Sequence, residues 1–147
     1  MTDEYYMSFA IGQAKNAGER GEAPVGAVVV RNGEIIGYGG NDRESAKSCF
    51  GHAEINAIKQ AQKKTGDWRL DGCTIYVTLE PCAMCAGAII NARIDRVVYG
   101  AADEKAGCMG SRINLAHCSL GCSPRITAGV MRQECEALLR NFFGLIR

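Results

Sequence analysis

Asn32-Gly33 stands between two runs of strand-forming residues, Val25 to Val30 and Glu34 to Tyr38. This dipeptide suits a two-residue turn with left-handed backbone at both positions, so the runs are predicted to close as an antiparallel hairpin. The chain then changes period. Ile55, Ile58 and Ala61 follow His52 at helical spacing, and Thr74 to Leu79 reads as a central strand. A helix opening at Pro81 carries Ala86, Ile89 and Ile90, and Arg96 to Gly100 is another strand. Upstream, Met7, Ala10, Ile11, Ala14 and Ala17 mark a first helix ended by Gly18 and Gly21. Downstream, Arg125 to Thr127 forms a short edge strand, and Met131, Cys135, Leu138, Leu139 and Phe142 mark a last helix. A hairpin followed by crossover helices implies an α/β fold. Its mixed five-stranded sheet has helices on both faces, in three layers, within one domain spanning residues 1–147.

Charge narrows the choice of partner. Lys and Arg number 17 against 16 Asp and Glu, so any RNA contact must rest on a local patch. The opening Met1-Thr2-Asp3-Glu4 is acidic and lacks the apolar stretch of a secretory signal. The longest apolar run, Ala23 to Val30, is too short to span a bilayer, so a cytoplasmic protein without a membrane segment is expected. In that setting the eight cysteines are expected to be reduced, with two of them bound to metal.

The residues with chemistry are His52-Ala53-Glu54 and Pro81-Cys82-Ala83-Met84-Cys85. Cys82 and Cys85 lie three apart at a helix start, hence one turn apart on the same face. The positive end of the helix favours their thiolate forms. With His52 they make three protein ligands for Zn²⁺ and leave a fourth position for water, the composition of a catalytic site. A metal-bound water is acidified towards ~7, and Glu54 is the candidate to move its protons. Two residues apart in a regular helix, His52 and Glu54 would diverge by ~200°. A shared site therefore requires an irregular first turn or a site that wraps the helix terminus. Taken singly, the cysteines fit as small core residues and the histidine as a helix cap. A structural zinc site would want a fourth Cys or His, and Cys49, Cys73 and Cys108 lie outside the motif. The combination of His-x-Glu with Pro-Cys-x-x-Cys is the signature of zinc deaminases of nucleobases.

From about Tyr5 to Phe143 the chain resembles the bacterial tRNA-specific adenosine deaminases of the cytidine deaminase-like superfamily. Besides His52-Ala53-Glu54, the resemblance rests on Pro24 to Val28, Asn41, Tyr76 to Ala88, Arg96 to Ala101, Glu134-Cys135 and Asn141-Phe142-Phe143. It implies a cytidine deaminase-like fold and conversion of the wobble adenosine of a tRNA anticodon to inosine. It implies one zinc ion held by His52, Cys82 and Cys85, with Glu54 as proton shuttle. It also implies Asn41 at the base pocket, Asp103 beside the bound nucleotide, and a homodimer that takes the anticodon loop as its partner. Asn41 and Asp103 also suit plain turn positions. Phe142 and Phe143 suit either a core or a base stack.

Two segments depart from the pattern. Ala116 to Arg125 lacks the Asn-His pair usual before the last helix, and Cys49-Phe50-Gly51 replaces the usual lead-in to the histidine. Both are expected near substrate. His117, Cys118 and Cys122 only partly meet the spacing of a second metal site. The alternatives are a deaminase of a free base or nucleoside, of cytosine or guanine type, and a non-catalytic zinc-stabilised RNA-binding module.

Overall fold

A computed structural model describes residues 1–146. The elements are α1 (Asp3–Glu19), β1 (Gly26–Arg31), β2 (Glu34–Gly40), α2 (Arg43–Ala46), α3 (Ala53–Thr65), β3 (Cys73–Leu79), α4 (Ala83–Asn91), β4 (Arg96–Ala101), β5 (Arg125–Ala128) and α5 (Arg132–Ile146), with one 3₁₀ turn at Leu115–His117. The strands form one sheet in the order β2-β1-β3-β4-β5. β1 pairs antiparallel with both β2 and β3, while β3–β4 and β4–β5 are parallel. This is the mixed five-stranded α/β sheet expected. The turn has Asn32 at φ 50° and Gly33 at φ 77°, the left-handed pair that the hairpin requires.

Alternation along the strands sorts the core into two layers. Ala27, Val29, Ile75, Val77, Val97 and Tyr99 pack with Ala53, Ala57, Ile58 and Ala61 of α3 and Ala86 and Ile89 of α4. Val28, Val30, Tyr76 and Val98 pack instead with Tyr6, Met7, Ala10 and Ile11 of α1 and Cys135 of α5. α3 lies so close to β2 that a Cβ on Gly37 would strike the Ala57 carbonyl oxygen and come within 2.8 Å of the Ala61 nitrogen. Only glycine allows that approach. β3 and β4, running parallel, lead into α4 and the long β4–β5 connection from the same end of the sheet.

Several boundaries moved for physical reasons. α1 begins at Asp3, because the Thr2 hydroxyl accepts from the Tyr5 N–H and Asp3 and Glu4 complement the helix dipole. Gly18 lies inside α1, which ends at Glu19. Ile55 is half-buried, and Ala57 takes the inward place instead. Pro81 precedes α4, whose cap is Cys82. The segment after Gly40 contains α2, held from a distance. The buried Glu22 carboxylate accepts from the Glu44 and Ser45 N–H groups at 3.0 and 2.8 Å.

Candidate active site

His52 and Cys82 are both helix caps. His52 precedes α3 with extended backbone, φ −99° and ψ 148°, and Cys82 precedes α4 at φ −76° and ψ −178°. Neither side chain is therefore confined to a helical direction. The site wraps two helix termini, which satisfies the geometric demand posed by His52 and Glu54. Cys85 sits in the first turn of α4, buried, and its backbone N–H donates to the Cys82 sulfur. β2 and β3 flank β1, and each is antiparallel to it, so they run the same way and their chains leave the sheet at one end, where the two caps converge.

The His52 Nδ1 atom lies 3.6 Å from Cys82 Sγ and 3.5 Å from Cys85 Sγ. Tetrahedral zinc with ordinary Zn–N and Zn–S bonds would separate such atoms by about 3.6 Å. Among the described residues, these three form the one group of His, Cys, Asp or Glu whose ligand atoms all lie within 4.8 Å of one another. Cys49, Cys73 and Cys108 stand outside it, and His117, Cys118 and Cys122 do not assemble into a second group. The donor set fits zinc in number, type and spacing, with no fourth histidine or cysteine to close the sphere.

Electrostatics point the same way. The Cys82 thiol is pulled down to about 3, chiefly by the hydrogen bond from the Cys85 thiol and also by His52. Cys85 is pushed up by sharing its proton with Cys82 and by burial. The hydrogen bond to Cys82 raises His52. Three donors thus compete for protons that a divalent cation would displace. Glu54, only 4% exposed, is pushed up to about 7, mainly by burial, with Cys82 adding to the rise and its own backbone N–H and His52 opposing it.

Beside this cluster lies an open cavity of about 600 Å³. Asn41, Arg43, Asp103, Lys105, Arg132 and Phe143 line it, together with the apolar Val25, Leu79 and Leu139. The three ligand-type side chains are not in its wall. The link to them is Asn41, whose Oδ1 accepts from the Ala53 N–H at 2.9 Å, between His52 and Glu54. Asp103 lines the cavity and also holds a turn, accepting from the Lys105 and Ala106 N–H groups at 3.0 and 3.1 Å. Phe143 is half-exposed at the cavity on α5. The segments 49–51 and 116–125, expected near substrate, contribute nothing to the lining.

Sequence reasoning missed Glu80, which lies immediately ahead of Pro81. It is 2% exposed and bonds to the loop after β4. Burial works to raise its carboxyl, but hydrogen bonds from Ser111, Asp103 and Met109 outweigh that and hold it below the usual range. The only local sign was an acidic residue at the end of a buried strand.

A family model described as MafB19-like deaminase matches residues 1–143. The tRNA-specific adenosine deaminase of Bacillus subtilis (strain 168) is 47% identical over 146 residues, covering 99% of this chain and 91% of that protein. A solved structure from work on A-to-I editing by tRNA:A34 deaminases at the wobble position superposes with a TM-score of 0.87 at 40% identity, covering 92% of this chain and 99% of that one. Guanine deaminase from Bacillus subtilis matches with a TM-score of 0.67 at 39% identity, over 69% of this chain and 66% of that one. With a deaminase model spanning nearly its whole length, this chain belongs to the MafB19-like deaminase family, in the branch of the bacterial tRNA-specific adenosine deaminases.

Proposed function

We propose that this chain hydrolyses adenosine to inosine at the wobble position of a tRNA anticodon. In this reading His52, Cys82 and Cys85 hold one zinc ion, and Glu54 moves the protons. The observation that carries it is the convergence of one imidazole, two cysteine sulfurs and a buried carboxylate at two helix termini. When bound, zinc would supply an acidified water as the nucleophile. Glu54 would pass one proton of the attacking water to N1 of adenine and the second, from the new C6 hydroxyl, to the departing amine, which leaves as ammonia. Its burial suits both halves of this role, because a carboxyl held up to about 7 both accepts and donates near neutrality.

Asn41 orients the base. Its oxygen is committed to the Ala53 N–H, so its amide hydrogens remain to meet an acceptor on the purine edge. The cavity supports a polynucleotide over a free base, because it extends from Asn41 along Asp103 to Arg132 and Phe143 on α5, well past one ring. An adenine stacked in a helix is out of reach, so the target is a nucleotide splayed from a single-stranded loop. Among the described residues, no helix is long and apolar enough to cross a membrane. The resemblance adds a homodimer at work in the cytoplasm.

The test is incubation of the zinc-loaded protein with an anticodon stem-loop bearing adenosine at the wobble position, and separately with free adenine, guanine and cytosine. Inosine in the RNA, with no ammonia from the free bases, is the expected result. Ammonia from a free base and none from the RNA overturns it in favour of a free-base deaminase. RNA retention with no ammonia from any substrate would instead leave a binding module.

A further inference from the structure

We propose that Glu80 is a positioning residue for substrate, anchoring Asp103 and the loop that forms one wall of the cavity. This rests on the deaminase reading above. The connection from β4 to β5 is long, and its first part has few backbone partners in the sheet. Glu80 supplies them. One carboxylate oxygen, Oε1, accepts from the Asp103 N–H at 3.1 Å and from the Ser111 hydroxyl. The other, Oε2, accepts from the Met109 N–H at 3.1 Å and the Ser111 N–H at 3.0 Å. The Glu80 N–H donates to Ala101 O at 2.8 Å, and the Cys108 N–H donates to Pro81 O at 2.9 Å. The carboxylate is thus the hub on which residues 103 to 111 close. The Cα of Gly107 rests against it, and a Cβ there would strike the carboxylate carbon.

The two oxygens have different duties. Met109 and Ser111 are held from Oε2 on the buried side. Asp103, which faces the cavity, meets the carboxylate only through Oε1; its carbonyl accepts from the Gly107 N–H at 2.8 Å, and its own carboxylate sets the turn to Lys105 and Ala106. A glutamine at position 80 keeps the size and can keep one oxygen on the Met109 side. Its amide nitrogen then falls on the Oε1 side. The Ser111 hydroxyl can rotate to accept from it, but the Asp103 N–H meets another N–H. Glu80→Gln therefore releases the Asp103 arm while leaving the rest of the loop tied.

The measurement is steady-state deamination of the anticodon stem-loop by zinc-loaded wild type, Glu80→Gln and Ser111→Ala, with zinc content determined for each. For Glu80→Gln, KM is expected to rise roughly tenfold with kcat within about twofold and zinc unchanged, the pattern of lost ground-state positioning. Ser111→Ala keeps the Asp103 bond, and its KM is expected within about twofold of wild type. A merely structural role would lower kcat and zinc content together and leave KM alone, and that result overturns the proposal. Should Glu80→Gln fail to fold, Gly107→Ala pushes the loop off the same carboxylate and must raise KM for the proposal to stand. A wild type inactive on the RNA removes the functional reading, and this inference falls with it. An active wild type with an unmoved KM in the variants removes this inference alone.

Discussion

At the scale of single residues, the proposed function asks Glu54 to react while its neighbours hold the metal. Glu54 is buried in the first turn of α3, beside the imidazole and the sulfurs and outside the ligand-type cluster. Glu54→Gln keeps the volume and removes the base. It is expected to retain one zinc per chain and to lose about 10²–10⁴-fold in the rate of inosine formation. Metal analysis and single-turnover assays on the stem-loop check both halves. A variant that loses its zinc would make Glu54 a support of the metal site, and one that keeps its rate would remove it from the reaction. In the proposed function Asn41 would serve structure and substrate at once. Its oxygen ties the β2 exit to the start of α3, and only its amide hydrogens are left over.

At the scale of elements, the site depends on how closely α3 approaches β2. Gly37→Ala forces a methyl group onto the Ala57 carbonyl, and overpacking of this kind costs about 1–3 kcal/mol. Gly12, in the middle of α1, has nothing within 4 Å of an added Cβ. Gly12→Ala is expected to gain about 0.5–1 kcal/mol through helix propensity. Urea titrations of the two variants should move in opposite directions. Equal and small shifts would mean that the α3–β2 contact relaxes freely.

The same contrast explains what was legible in the sequence. The hairpin, the mixed five-stranded sheet and the major helices follow from periodicity and from Asn32-Gly33, because these signals are local. So does the pairing of Cys82 with Cys85, neighbours on one turn, whereas His52, 30 and 33 residues away, is joined to them in sequence only by the His-x-Glu motif. α2 was not legible, because its cap comes from Glu22, more than twenty residues upstream. Glu80 was not legible as an anchor, because its partners lie on a loop that folds back from beyond β4. The freedom of His52 from the helical direction depended on where α3 starts, and terminal turns are poorly marked in sequence.

At the scale of the whole molecule, a polar cluster at its start fastens the amino-terminal helix to the sheet, beside the Tyr6 hydroxyl that donates to Gly33 O at 2.9 Å. Arg96 donates to both Asp3 oxygens, at 2.9 and 2.7 Å, and the Tyr76 hydroxyl donates to Asp3 at 2.9 Å. The Arg96 hydrogen bond is the largest cause holding Asp3 below its ordinary value, against a smaller rise from burial. A carboxyl lowered in the fold binds its proton more readily when unfolded. Its contribution is therefore complete above the unfolded value near 3.8 and is lost as pH falls through the lower folded value. Asp3→Asn is expected to cost roughly 1.5–3 kcal/mol at neutral pH, and the gap from wild type should close as the solution is acidified below pH ~4. Thermal melts across that range test this, and a gap independent of pH would mean that Asp3 acts through packing alone.

The imidazole precedes the sulfurs by 30 and 33 residues, and they meet only where β1 lies against β3. A nascent chain therefore carries half of the grip long before the other half, and the hairpin arm must first find its non-local mate. An ion held by such distant donors would not seed the architecture as it does in a small metal-nucleated finger, where the ion comes first and the fold follows. In the proposed reading the ion would be a latch on a sheet already built, and its occupancy would report that the central pairing is complete.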